Sequence, residues 1–216
     1  MPVKKHYIHR RIEEGEHLHQ DFKFEISDAR KIARSLVAFA NTEGGRLLVG
    51  VKDNGKIVGV SDDEELYMIE AALKMYVRPR LKCKTNAWSI EGRTVVEIAV
   101  EPGSAKPYFA PNDNGKWTVY LRQNDSNVIA HKLLVKSWQR KRSAKGLLIP
   151  LNNDHKILID LLRENEFISF SRFLKKARIP VKLAEQILVD LMALDIIESK
   201  EIDAKTVFLL KKNQTL

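Results

Sequence analysis

The chain has 216 residues, 44% of them hydrophobic, enough for one sizeable core or for one core and a small second domain. Its 37 Lys/Arg against 28 Asp/Glu give a net charge of +9, and its single cysteine, Cys83, excludes an intrachain disulfide and any multi-cysteine zinc site. No run of about 18 apolar residues and no signal-peptide core occurs, so the chain is read as cytoplasmic with no membrane partner.

Residues 21–25, DFKFE, alternate polar and apolar and predict a half-buried strand. A helix is expected over 28–41, where Ile32, Leu36, Phe39 and Ala40 share a face, Ser27 or Asp28 can cap the start and Gly44-Gly45 end the segment. RLLVGV and KIVGV then flank Asp53-Asn54-Gly55. Gly50 and Gly55-Lys56 have the spacing of a phosphate-binding loop, but such a loop needs a helix directly after it and a Ser or Thr for magnesium. Here a β-branched run follows and Ile57 stands at the ligand position. Asn54-Gly55 predicts a two-residue type I′ hairpin instead, and ATP is not expected.

Ser61-Asp62-Asp63-Glu64 has capping-box spacing, and Leu66, Ile69, Leu73 and Tyr76 continue it as an amphipathic helix ending near Pro79. Strands are expected over 81–90 and 93–100, joined at Glu91-Gly92, then a loop to Gly115, a strand over 117–122 and helix from about Asn127. This order suits a mixed-sheet α/β or α+β domain. KGLLIPLNN, residues 145–153, marks the expected boundary between domains 1–150 and 151–216. Beyond it, helices over 154–164, 169–177 and 180–194 and the strand-like IIESKEI and TVFLLKK outline a small winged helix-turn-helix domain.

Cut at 150, the first domain carries 26 Lys/Arg against 18 Asp/Glu, or +8, and the second 11 against 10, or +1. The densest basic stripe is 131–146, with six Lys/Arg and no acid, which is either a phosphate-binding surface or a solvated helix face. Candidate phosphate contacts are Lys136, Arg140, Lys141 and Arg142 in that stripe, the alternating Arg78, Arg80, Lys82 and Lys84, and Lys23, Arg46, Lys52, Lys56 and Arg122. Trp88 and Trp117 are either stacking platforms or core. His6, His9, His17 and His19 are spaced closely enough for a transition metal, and His17 or His19 could act as a base beside Glu16 and Asp21. The expected third helix of the second domain turns Lys182, Glu185, Gln186, Val189 and Asp190 outward. Two acids against one lysine suit a phosphate-lined groove poorly, so DNA reading and protein docking both stand.

GEHLHQDFKF, SLVAFANTEGGRLLVGVKDNGKIVGV and VYLRQNDSNVIA together resemble the Schlafen-type AlbA-like domain over roughly residues 12–130. The resemblance implies nucleic-acid binding, to DNA or RNA, in a protein of the transcriptional-regulator type. It also implies an alternative, a metal-dependent endoribonuclease whose three carboxylates would be Glu16, Asp21 and Asp53 around Mg or Mn. Asp21 stands where the family carries glutamate, one methylene longer. The family's eukaryotic core pairs two lobes in one chain, and the resemblance implies that a homodimer could supply the second here. A protein-interaction adaptor is the third class. Whether the chain is an enzyme stays open at this stage.

Overall fold

The computed structural model describes residues 7–25, 28–60, 63–142, 148–203 and 205–211. The Ser61 cap, His6, Ser27 and the end of the basic stripe at 143–146 lie outside them. The chain divides into two compact units, Met1–Ala130 and His131–Leu216.

The first unit is built on a four-stranded sheet in the order β1-β2-β4-β3, with β1 (Gln20–Lys23), β2 (Gly45–Val49), β3 (Cys83–Ile90) and β4 (Arg93–Val100). β1 and β2 are parallel and the other pairings antiparallel, so the sheet is mixed. Period-two alternation sends Leu47 and Val49 to one face and Leu48 to the other. The first face packs on α2 (Ala29–Asn41), which is buried nearly all round because α3 (Asp63–Met75) and the later strands also cover it. Asp28 caps α2 by accepting the Arg30 N–H. On the other face, Phe22, Leu48 and Val95 pack with Ile8 of α1 (Tyr7–Glu13), a short helix that the polar N-terminal sequence did not signal.

Three local expectations are corrected. At Lys52–Lys56 the Gly55 N–H bonds the Lys52 carbonyl and the Lys52 N–H bonds the Lys56 carbonyl, with positive φ at Gly55 but not at Asn54. That is a three-residue loop closed by glycine, not a type I′ turn, and only Val51 and Ile57 bridge across it. Positive φ at two successive residues occurs instead at Glu91-Gly92, the tight turn between β3 and β4. The second correction concerns Asn127. It lies in β8 (Ser126–Ile129), the hairpin partner of β7 (Tyr120–Gln123), and helix begins only at α4 (Lys132–Lys141). The expected strand at 117–122 is split into β6 (Trp117–Thr118), paired with β5 (Ala110–Pro111), and β7.

In the second unit, α4 is followed by α5 (Asn153–Glu164), β9 (Ile168–Ser169), α6 (Phe170–Ala177), α7 (Val181–Ala193) and the hairpin β10 (Ile197–Ile202) and β11 (Lys205–Leu210). β11 pairs with both β10 and β9. One apolar cluster, including Leu133, Leu158, Phe173, Ile187, Leu191 and Phe208, joins α4 to these elements. Because Leu133 belongs to that cluster, the units divide at His131, ahead of the expected 150. Cut there, the charges redistribute: 20 Lys/Arg against 18 Asp/Glu in residues 1–130, or +2, and 17 against 10 in 131–216, or +7.

Candidate functional site

AFANTEGG, residues 38–45, ends α2 and sets up the site around it. Asn41 is buried; its side-chain amide donates to the carbonyls of Tyr108 and Tyr120 and accepts from the Tyr108 N–H, tying the later loop and β7 to the helix. Thr42 donates to the Ala38 carbonyl and accepts from the Arg122 N–H. Gly45 has no room for a side chain, since a Cβ would stand 2.4 Å from the Phe39 ring. The motif thus fastens the Tyr108 loop, β2 and β7 to one helix end.

Of the three carboxylates, the structure brings Glu16 and Asp21 together and leaves Asp53 apart. Asp21 is 3% exposed; Ser35 donates to one of its oxygens at 3.0 Å, while Lys23 Nζ and an Arg122 nitrogen lie 3.1 Å and 3.4 Å from the other. Burial pushes its carboxyl up, but hydrogen bonding with Glu16 and the charges of Lys23 and Arg122 outweigh this and hold it below its ordinary value. Glu16 accepts the Phe22 N–H at 2.9 Å, and burial, then the hydrogen bond with Asp21, raise its carboxyl. Asp53 is exposed in the Lys52–Gly55 turn. Among the described residues no three His, Cys, Asp or Glu side chains are grouped to hold a metal ion. The Glu16, Asp21 and Asp53 arrangement does not fit a shared Mg or Mn, and no cleavage step follows from it.

His17 and His19 are edge-to-face neighbours, 6.1 Å between rings, and each faces its own acid, Glu14 at 3.9 Å and Glu43 at 3.5 Å. Burial lowers the His17 imidazole. Neither joins a metal cluster.

The cationic candidates fall into two groups. In the engaged group, Arg122 is 4% exposed and donates to the Gln20 carbonyl and Asn127 as well as facing Asp21, so it is an internal strut and not a phosphate contact. Lys23 bonds Asp21 and the Phe22 carbonyl, and Arg46 lies 3.8 Å from buried Glu97. Glu97 also accepts from Tyr7 and from the Trp88 indole, which places Trp88 in the sheet packing. The richest stripe is engaged as well. Lys132 and Lys136 pair with Glu185 and Arg140 with Asp190, both acids of α7, and Lys141 pairs with Asp195 just beyond it. The two acids that made the outward face of α7 a poor groove reader are therefore the partners of α4.

In the free group, Arg78, Arg80, Lys82 and Lys84 are exposed while Leu81 and Cys83 between them turn inward. Arg78, Arg80 and Lys82 line a groove of 620 Å³ between α3 and the start of β3, with Lys74 and Glu70 on the α3 side. Lys74 pairs with Glu70; none of Arg78, Arg80, Lys82 and Lys84 makes an ion pair with a described residue. The Arg78 guanidinium lies over the Trp117 ring at 4.6 Å, which holds it in place without neutralising it. Lys74 was missed in the sequence because its place opposite Arg78 depends on where α3 packs. Lys52 and Lys56 are exposed beside the turn, Lys52 over the Phe24 ring at 5.7 Å. Arg142, the exposed cap at the end of α4, is not counted in this group.

A family model described as Schlafen, AlbA_2 matches residues 16–131. Among solved structures, the DIP2311 protein of Corynebacterium diphtheriae is 23% identical with a TM-score of 0.44, over 59% of this chain and 28% of that one. The N-terminal domain of a RecG-related protein of Nitrosomonas europaea is 18% identical with a TM-score of 0.40, over 58% of this chain and 88% of that domain. The chain thus spans little more than a quarter of the length of the first of these. A search of curated proteins finds no match.

Proposed function

The chain belongs to the Schlafen, AlbA_2 family, and on that premise we propose that it binds nucleic acid, DNA or RNA, through the cationic groove between α3 and β3. One observation carries this: Arg78, Arg80 and Lys82 converge on one groove, exposed and without acidic partners among the described residues. Cations already neutralised inside the fold release no counterions on meeting a phosphate backbone; free ones do. Trp117 beneath Arg78 adds an aromatic surface against which a base or sugar can rest. No described helix is long and apolar enough to cross a membrane.

The test is a mobility-shift series in rising salt with the wild type and the triple variant Arg78→Ala, Arg80→Ala, Lys82→Ala. The variant should bind more weakly, with a slope of log K against log salt smaller by about 2.7, or about 0.9 per lost contact. Equal affinity and slope would contradict the groove.

The finer reading is a regulator of transcription with a winged-helix second domain. It is supported by the order α5, β9, α6, α7 and hairpin, with β11 closing a three-stranded sheet on β9. A regulator must prefer one sequence, so competition with unrelated duplexes decides it. A homodimer would supply a second lobe, and light scattering reads that as twice the 24.8 kDa of the chain.

A further inference from the structure

The second unit carries a cationic surface of its own, which neither its richest basic stripe nor the outward face of α7 foretells. From Phe167 to Ala184 the sequence contains five Lys/Arg and no acid. Arg172 is held by Asn165 at 2.8 Å. The other four, Lys175 and Lys176 in the last turn of α6, Arg178 at its left-handed cap and Lys182 in the first turn of α7, are exposed and make no ion pair with a described residue. They fall within eight residues of chain wrapped around a single corner.

The rest of α7 cannot serve this purpose. Every residue from Ile187 to Ala193 is buried, Asp190 and Glu185 are paired to α4, and only Val181, Lys182 and Gln186 stay exposed. We propose that the α6–α7 corner, through Lys175, Lys176, Arg178 and Lys182, binds the phosphate backbone of duplex DNA, while α4 occupies the side of α7 that would otherwise lie along a groove. The proposal rests on the nucleic-acid reading above but assigns a second surface, on the other unit.

Three physical points select a DNA duplex. The corner offers no exposed aromatic ring between Phe173, which is buried, and Val181, so it lacks the stacking platforms that single strands use. The corner holds the end of α6 and the first turn of α7, and the roughly 12 Å major groove of B-DNA admits a helix end beside the phosphates it contacts where the deep, narrow major groove of RNA does not. Contacts made by four flexible cations go to phosphates, so this surface binds without regard to sequence.

The experiment uses the full chain and labelled duplex DNA of random sequence, with the single strand and an RNA hairpin as further probes. The corner variant is Lys175→Gln, Lys176→Gln, Arg178→Asn and Lys182→Gln; asparagine is chosen because it tolerates the positive φ at 178, and circular dichroism confirms the fold. The expected result is a salt slope on the duplex smaller by about 3.6, equal for every sequence tried. Unchanged duplex binding in the corner variant, with loss confined to the groove variant, overturns this surface and leaves the proposed function standing. A corner-dependent loss seen only with RNA or single strands overturns the assignment to duplex DNA. Absence of any binding by the wild type overturns both readings.

Discussion

α4 and the α6–α7 corner look alike in the sequence: each is a short basic stretch without a single acid. In the fold they are opposites. The cations of α4 face Glu185, Asp190 and Asp195, while Lys175, Lys176, Arg178 and Lys182 face none of the described carboxylates. The first unit repeats the contrast, with Arg122 locked against Asp21 and Arg80 free in the groove. Net charge therefore measures attraction at a distance, and pairing decides which side chains touch a phosphate.

The largest expected effect is on the engaged side. Arg122→Ala removes one of the two cations facing buried Asp21 and, with it, the guanidinium bonds to the Gln20 carbonyl and Asn127, and should cost about 3–5 kcal/mol in denaturant unfolding. A loss below about 1 kcal/mol would mean that the pair is as weak as a surface one. Asn41→Ala strands the Tyr108 and Tyr120 backbone groups and should cost about 1–3 kcal/mol for the polar groups it leaves unpaired, by the same measurement.

Next comes a variant that should convert one class into the other. Glu185→Gln with Asp190→Asn releases Lys132, Lys136 and Arg140, so salt-sensitive binding to duplex DNA should strengthen, its slope steepening by up to about 2.7. Weaker binding would show that the acids serve the interface directly. The smallest effect concerns pH. Burial raises the Asp195 carboxyl, but hydrogen bonds from Lys141 and Lys211 outweigh it and hold the group below its ordinary 3.8. A depressed carboxylate stabilises the fold above its unfolded value and loses that contribution as pH falls through the folded one. The wild type should therefore lose a few tenths of a kcal/mol more than Asp195→Asn on acidification below about pH 4, as read by thermal melts.

What the sequence could show follows the range of the interactions involved. α2 was legible because Ile32, Leu36, Phe39 and Ala40 repeat along one helix face and Asp28 caps it, both local signals. α1 was not, since its one fully buried side chain, Ile8, sits among charged neighbours. β8 was missed because its pairing with β7, not periodicity, makes it a strand. The free cations of the groove were legible in the alternation of Arg78, Arg80 and Lys82. The engagement of α4 was not, since Lys136 meets an acid 49 residues away and Lys141 one 54 residues away. The same long-range packing moved the unit boundary from 150 to 131 and took most of the excess charge with it. Asp53, linked to Glu16 and Asp21 by motif, is exposed in its turn and joins no three-residue group with them among the described residues.

The most direct measurement is the salt dependence of duplex binding in a variant that neutralises α4 alone: Lys132→Gln, Lys136→Gln, Arg140→Gln and Lys141→Gln. If pairing governs availability, the slope of log K against log salt stays that of the wild type even though four positive charges have gone. A slope smaller by about 3.6 would show that α4 itself lies on the nucleic acid and would contradict the division between engaged and free cations.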